Sequence, residues 1–398
     1  MPVARDRFPA LREAPDLCYL DSSATTLLPQ CALDALVFEL SVGGSAGRSG
    51  HVLGSRASGA LEKARARIGT LMGVPADELV VVPSATDGLM LAAEGLVGPS
   101  LRPGDRIIVC RDAHHANLLP WRRLAERMGI ELAVVGVTER GELDRRALLA
   151  ALGPRTRAVA LTHVSNVTGA VLPLSRVVEQ VRTIAPTACI VVDGTQAVAH
   201  LAVRPSTLGV DAYVWSAHKA YGALGAGFVW APSTRWAEGV PVRWGGGMVT
   251  EVSDDVVYVR DAPWGYEAGT LNHPAVVCAA EGLRFLCAHR DPAASRALAT
   301  QAAEALAGLP GVHVVGAPYE RTGLVSFWVE GIHPHDLAQL ADDDGIALRA
   351  GHHCAQPLLE ALGLPAAVRA SFGLHSVAED IDRLVVSVAR AQRLLGTS

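Results

Sequence analysis

The chain has 398 residues, 50% of them hydrophobic, with 35 Lys and Arg against 40 Asp and Glu and a formal net charge of −5. That length supports a large buried core, in one large α/β unit or in two or three domains. The balanced charge offers no basic footprint for nucleic acid, no apolar run reaches the length that spans a bilayer, and MPVARDRFPALREAP carries no secretory pattern, so no membrane association and a cytoplasmic location are expected.

In chain order, ELVVV (78–82) reads as a strand and LMLAAEGLV (89–97) as the helix after it. DRIIVC (105–110) is a strand followed by the helical LLPWRRLAERMG (118–129). ELAVVGV (131–137), RAVALTH (157–163), ACIVVD (188–193) and AYVWS (212–216) read as further strands. Short β-branched runs alternating with helices predict an α/β fold with a mostly parallel sheet covered on both faces. WGGGMVTEVSDDVVYVRDAPWGY (244–266) is glycine-rich and reads as an irregular functional loop and a seam. Beyond about residue 275 the texture changes. The helix VVCAAEGLRFLCAHR leads to GVHVVG, LVSFWVE and IALRA, with HDLAQLADDDG between them, and the chain closes in AEDIDRLVVSVARAQRLLG. This predicts a smaller α+β domain.

Ligands of open α/β sheets bind beyond the carboxyl ends of the strands. PSATDG follows the first strand, RDAHHAN the second, VSNVTG the RAVALTH strand, GTQA the ACIVVD strand and AHKAYG the AYVWS strand. Each has a bland reading: Ser or Thr before a helix is an N-cap, an Asp at a strand end caps the next helix, and a lone Lys is solvated. Jointly they place polar groups at five successive strand ends along one sheet edge. Lys219 stands between small residues after an apolar strand, and a lysine in a partly dry site loses proton affinity and attacks carbonyls. Asp193 suits a pyridinium nitrogen, and Ser216 and His218 suit a phosphate. That set matches pyridoxal 5'-phosphate.

Seven cysteines stand at positions 18, 31, 110, 189, 278, 287 and 354, with no C-x-x-C pair, as free thiols of a reducing compartment do. Cys110 and Cys189 lie in apolar strands and read as core. Cys354, in RAGHHCAQP, has polar neighbours. Structural zinc sites use spaced pairs of ligands, so HHC predicts no metal.

Together SAHKAYG (216–222), VVDGTQAV (191–198), THVSNVTGA (162–170), DAHHANLLPW (112–121) and RAGHHCAQP (349–357) resemble a group II cysteine desulfurase. This is a fold-type I pyridoxal-phosphate enzyme of the class V aminotransferase superfamily. The resemblance runs from YLDSSATT (19–26) to EDIDRLV (379–385). It implies a large cofactor-binding domain over 22–265 and a small domain built from 1–21 and 266–398. Lys219 would carry the cofactor, Asp193 would hold the ring nitrogen protonated, and His114 would stack on the ring. Asn166 and Gln196 would lie near the phenolic oxygen. Ala85, Thr86, Ser216 and His218 would bind the phosphate. Thr270 resembles a threonine that reaches the partner subunit's phosphate, which implies a homodimer. Arg369, Arg349, Asn166 and His51 would meet the substrate.

The activity implied is conversion of L-cysteine to L-alanine, with Lys219 as base and the sulfur held on Cys354 as a persulfide. The attack needs thiolate, and a free thiol near ~8.5 is only a few per cent ionised at neutral pH. His352, His353 and Arg349 are expected to raise that fraction or to hold the loop. The short HHCAQP segment implies a tethered cysteine and an external sulfur-acceptor protein. Ala113 before the histidine pair, Gly247 in WGGGM, and RSGH (48–51) depart from the family pattern, which opens the substrate preference. A selenocysteine lyase or other C–S lyase, an aminotransferase-like enzyme, and a non-catalytic scaffold are the rival readings.

Overall fold

Seven of the buried β-branched runs assemble into one sheet. The computed structural model describes residues 3–47 and 49–395; Arg48 of RSGH falls outside them. The strands are β1 (Leu79–Val82), β2 (Arg106–Cys110), β3 (Glu131–Val135), β4 (Thr156–Thr162), β5 (Cys189–Asp193), β6 (Ala212–Ser216) and β7 (Gly227–Trp230). Their order across the sheet is β1-β7-β6-β5-β4-β2-β3. β3 through β6 run parallel with β2, and β7 alone runs antiparallel to both its neighbours. The sequence reading did not include β7. Its four residues GFVW follow a glycine-rich turn and are too short for a periodic signal. A Cβ on Gly227 would stand 2.6 Å from the backbone carbon of Ser84, so only glycine lets β7 pass under the turn after β1.

Alternate residues of these strands enter two different cores. Val81, Ile108, Val159, Ile190 and Trp215 face one layer, which includes the helices Val52–Met72 and His273–His289. Val80, Ile107, Ala158, Val191 and Val214 face the other, with Trp121 and Trp236. Burial on both faces is why the strands read as continuous apolar runs rather than alternating ones. Helix His273–His289 contributes Val276, Leu283 and Leu286 to the first of these cores. This helix therefore packs on the main-sheet unit.

The expected loop 244–266 contains a hairpin, β8 (Val249–Val252) paired with β9 (Val257–Val259), with exposed Val252, Val257 and Tyr258. The second sheet holds β10 (Val312–Val314), β11 (Leu324–Val329), β12 (Arg349–Gly351) and β13 (Ala367–Ser371) in the order β10-β11-β13-β12, all antiparallel. IALRA, expected as one strand, divides at Leu348: Ile346–Ala347 pairs in parallel with Cys18–Tyr19, and β12 turns to β13. Cys18–Tyr19 and Ile346–Ala347 thus form a separate two-stranded sheet, and an isolated bridge from Asp21 to Ser371 ties the N-terminal segment to β13 of the second sheet. Helices Pro292–Ala307, Pro334–Asp343 and Ala378–Leu395 complete its core.

One buried ion pair ties helix Val52–Met72 to β1. Arg65, 1% exposed, donates from Nη1 to Glu267 Oε1 at 2.6 Å, from Nη2 to Oε2 at 2.9 Å, and from Nη1 to the Leu79 carbonyl. Glu267 Oε1 also accepts from the Val81 amide. Removing one partner strands a charge in the core, so Glu267→Ala is expected to lower stability by about 3–5 kcal/mol. Thermal unfolding of the two proteins checks this; an unchanged transition would contradict it.

Candidate active site

The register of the parallel strands decides where their polar ends meet. Thr162 pairs with Asp193 and Asp193 with Val214, so the carboxyl ends of β4 and β5 are level and β6 runs two residues further, to Ser216. Beyond them lies a cavity of about 220 Å³. The main sheet supplies Ala85, Thr86, His114, Asn166, Asp193, Gln196, Ser216, His218 and Lys219; the second sheet and the loop from β12 supply Arg349, His353, Cys354 and Arg369. These are the residues singled out in the sequence, with His353.

One expected residue lies elsewhere. His51 does not face the cavity: its ring is exposed, and Nδ1 accepts from the Gly54 amide as the N-cap of helix Val52–Met72. Thr270, expected to reach the partner subunit's phosphate, is exposed and lines a separate cavity with Val81, Gly225 and Asn272. Conversely, Ser23, Ala24, Thr162 and Thr195 line the main cavity without having been singled out. YLDSSATT and DGTQ contained three of them, and short hydroxyl residues next to motif positions were the available signal.

Small local rules hold the walls in place. Ser84 Oγ caps helix Ala85–Met90 by accepting from the Asp87 amide. The Ala85 amide donates to Ser216 Oγ at 2.7 Å, which joins the end of β6 to the turn after β1. Asp193, 7% exposed, accepts from the Thr195 amide at 2.9 Å. Gln196 Nε2 donates to the Ser23 carbonyl, and Asn166 Nδ2 donates to the His353 carbonyl at 2.7 Å. His114 Nδ1 accepts from the Ala116 amide at 3.0 Å, which leaves the proton on Nε2 when the ring is neutral.

Electrostatics favour neutral bases beside fixed charges. Burial and the neighbouring Arg369 guanidinium push Lys219 down to about 8. A sizeable share of Lys219 is therefore free amine near neutrality, where an ordinary lysine has almost none. Burial and Lys219 lower His114, and the same two causes bring His218 down to about 4. Burial, then Arg369, takes His353 down to about 3. His353 is consequently neutral and gives Cys354 no positive charge. Its Nε2 donates to the Ala367 carbonyl at 3.0 Å, so its part is to hold the loop.

Cys354 sits on a backbone that most residues avoid. His353 and Cys354 have φ of 52° and 55°, and Gly351 has 121°. A left-handed non-glycine residue costs about 1–2 kcal/mol, so the turn persists only where surrounding bonds over-determine it. Those bonds come from the main-sheet unit: the His115 amide donates to the Cys354 carbonyl at 2.7 Å, and Asn166 holds the carbonyl before it. The thiol side chain itself lines the cavity, half-buried.

The cavity has unmet polar capacity. Ser23 Oγ, Thr162 Oγ1, Asn166 Oδ1, Thr195 Oγ1 and His218 Nδ1 are buried and lack hydrogen-bond partners, and all five residues line it. Buried polar groups are ordinarily satisfied, so this cavity fits a polar group that accepts and donates at several points. A phosphate-bearing pyridine aldehyde meets that need. Lys219 offers the amine, Asp193 a carboxylate, and Thr86, Ser216 and His218 a donor cluster by the helix start. Among the described residues no cluster of three or more His, Cys, Asp or Glu could hold a metal, and no helix is long and apolar enough to cross a membrane.

Residues 18–384 match the aminotransferase class-V family. A cysteine desulfurase of Dickeya dadantii is 36% identical over 99% of this chain and 98% of its own length. A probable cysteine desulfurase of Mycolicibacterium paratuberculosis is 35% identical over 97% of this chain, which spans 57% of that longer protein. Among solved structures, the cysteine desulfurase CsdA (S-sulfonic acid) from Escherichia coli superposes with a TM-score of 0.89 at 36% identity, covering 98% of both chains.

Proposed function

The chain belongs to the aminotransferase class-V family, and on that premise we propose that it is a pyridoxal-phosphate-dependent cysteine desulfurase that converts L-cysteine to L-alanine. One observation carries the reading: Cys354 opens into the same cavity as Lys219 and Arg369. An aminotransferase-like enzyme or a scaffold has no use for a thiol held there by a strained turn. The relatives named cysteine desulfurase point the same way.

Bound pyridoxal phosphate supplies an electron sink for a carbanion at the substrate's Cα. Lys219 holds it, and Asp193 meets the ring nitrogen. Thr86, Ser216 and His218, with the backbone around Ala85, would receive the phosphate; Asn166 and Gln196 would lie near the phenolic oxygen, and His114 would stack on the ring. Arg369 takes the substrate carboxylate, with Arg349 beside it, because a planar guanidinium matches a carboxylate in two bonds. The Lys219 amine removes the Cα proton. Cys354 Sγ then bonds to the substrate sulfur as the Cβ–S bond breaks, and the carbon skeleton leaves as L-alanine after reprotonation. His115 and Asn166 keep the Cys354 backbone in place throughout.

The pinned turn makes the persulfide wait for a sulfur-acceptor protein that docks over it. The enzyme works as a homodimer. Exposed Phe38, Leu40, Leu224 and Trp244, with the apolar hairpin β8–β9, support a second copy as their cover, and Thr270 meets the partner's phosphate. All seven cysteines are unpaired, in keeping with a reducing cytoplasm. With L-cysteine and a reductant, the purified enzyme should release alanine and sulfide in equal amounts. Pyruvate and ammonia in place of alanine would favour a lyase.

A further inference from the structure

Arg369 is bound at both nitrogens before any substrate arrives. It is 2% exposed, and burial lowers its proton affinity. Nη1 donates to the Asn166 carbonyl at 3.0 Å, and Nη2 donates to Asp21 Oδ1 at 3.1 Å, while Nε has no partner. Asp21 does not line the cavity; it stands behind the guanidinium. Its own backbone is fixed, because it bridges Ser371, two residues along β13 from Arg369, and its carbonyl accepts from the Ala24 amide. Acid and arginine are therefore carried on the same sheet end, although 348 positions separate them.

We infer that Asp21 is the positioning residue of the carboxylate clamp, an inference that rests on the assignment of Arg369 to the substrate carboxylate. An arginine side chain has several rotatable bonds, and ordering them on binding costs affinity. With Asn166 on one nitrogen and Asp21 on the other, the plane of the guanidinium is set in advance. The edge it turns to the cavity is then ready for two parallel bonds. Asp21 also supplies a counter-charge to a desolvated cation in a cavity that already holds Lys219 and Arg349.

The sign of the effect separates positioning from charge alone. Removing a carboxylate behind Arg369 makes the cavity more positive, and charge alone would then tighten carboxylate binding. Positioning predicts weaker binding, because the guanidinium loses one of its two anchors. The test uses the holoenzyme, with Asp21→Asn and Asp21→Ala, and two ligands that differ only in the carboxylate: L-alanine and ethylamine. Binding of each is read from the absorbance of the bound cofactor, so the result does not depend on sulfur release. If Asp21 positions Arg369, Asp21→Ala binds L-alanine about tenfold or more weakly, while Asp21→Asn, whose amide oxygen still accepts from Nη2, keeps most of the affinity, and ethylamine stays within about twofold of wild type in both. Arg369→Ala should show the same selectivity as Asp21→Ala. Tighter or unchanged L-alanine binding in Asp21→Ala would overturn the inference, and so would equal weakening of both ligands, which marks general structural damage. A wild type that binds both ligands but releases no sulfur from L-cysteine would overturn the desulfurase reading while leaving the clamp intact.

Discussion

Cys354→Ala is expected to lose alanine and sulfide formation from L-cysteine by at least about a thousandfold, as removal of a covalent nucleophile does. The thiol is presented on two successive left-handed residues and tied down by Asn166, His115 and the His353 ring. That investment in one backbone geometry makes sense only for an atom that must meet a reacting group. The variant removes a half-buried Sγ and leaves the cavity's other walls in place, so the visible change on adding L-cysteine should persist while product formation stops. A variant that keeps the wild-type rate would remove Cys354 from the chemistry and move a C–S lyase ahead.

Lys219→Ala should be as severe at a different stage. Burial and Arg369 hold the amine near 8, which makes Lys219 both the anchor for the cofactor and a proton carrier at neutral pH. Its loss is expected to abolish the visible band of lysine-linked cofactor and to lower turnover by about a thousandfold or more. A visible band retained in the variant after dialysis, with turnover intact, would mean that another residue carries the cofactor.

Much of this site was legible because a parallel sheet makes sequence position informative. Asp193, Ser216 and Lys219 each stand at or after the end of an apolar run, and the fold brings those ends to one edge of the sheet. Arg369 and Cys354 carry no such signal. Arg369 lies in β13 and Cys354 in the loop after β12, and only packing between the two units brings them to the cavity; polar neighbours set Cys354 apart, but the family resemblance alone assigned roles to the two. His352 and His353 are the same letter side by side, yet one is exposed and the other is buried, neutral and committed to the Ala367 carbonyl. His51 fits the motif but caps a helix within the chain. Asp21 was passed over because a single acid near the N-terminus acquires meaning only when the bridge to Ser371 puts it behind Arg369. β7 was missed since four residues after a glycine-rich turn show no periodicity, although Gly227 is where β7 passes close under the Ser84 backbone.

The most direct test is mass analysis of the protein after brief exposure to L-cysteine without reductant. A single added sulfur on the peptide that contains Cys354, removed by later reduction and accompanied by an equal amount of alanine, is the result predicted. Alanine formed with Cys354 unmodified, or sulfur found on another cysteine, would contradict it.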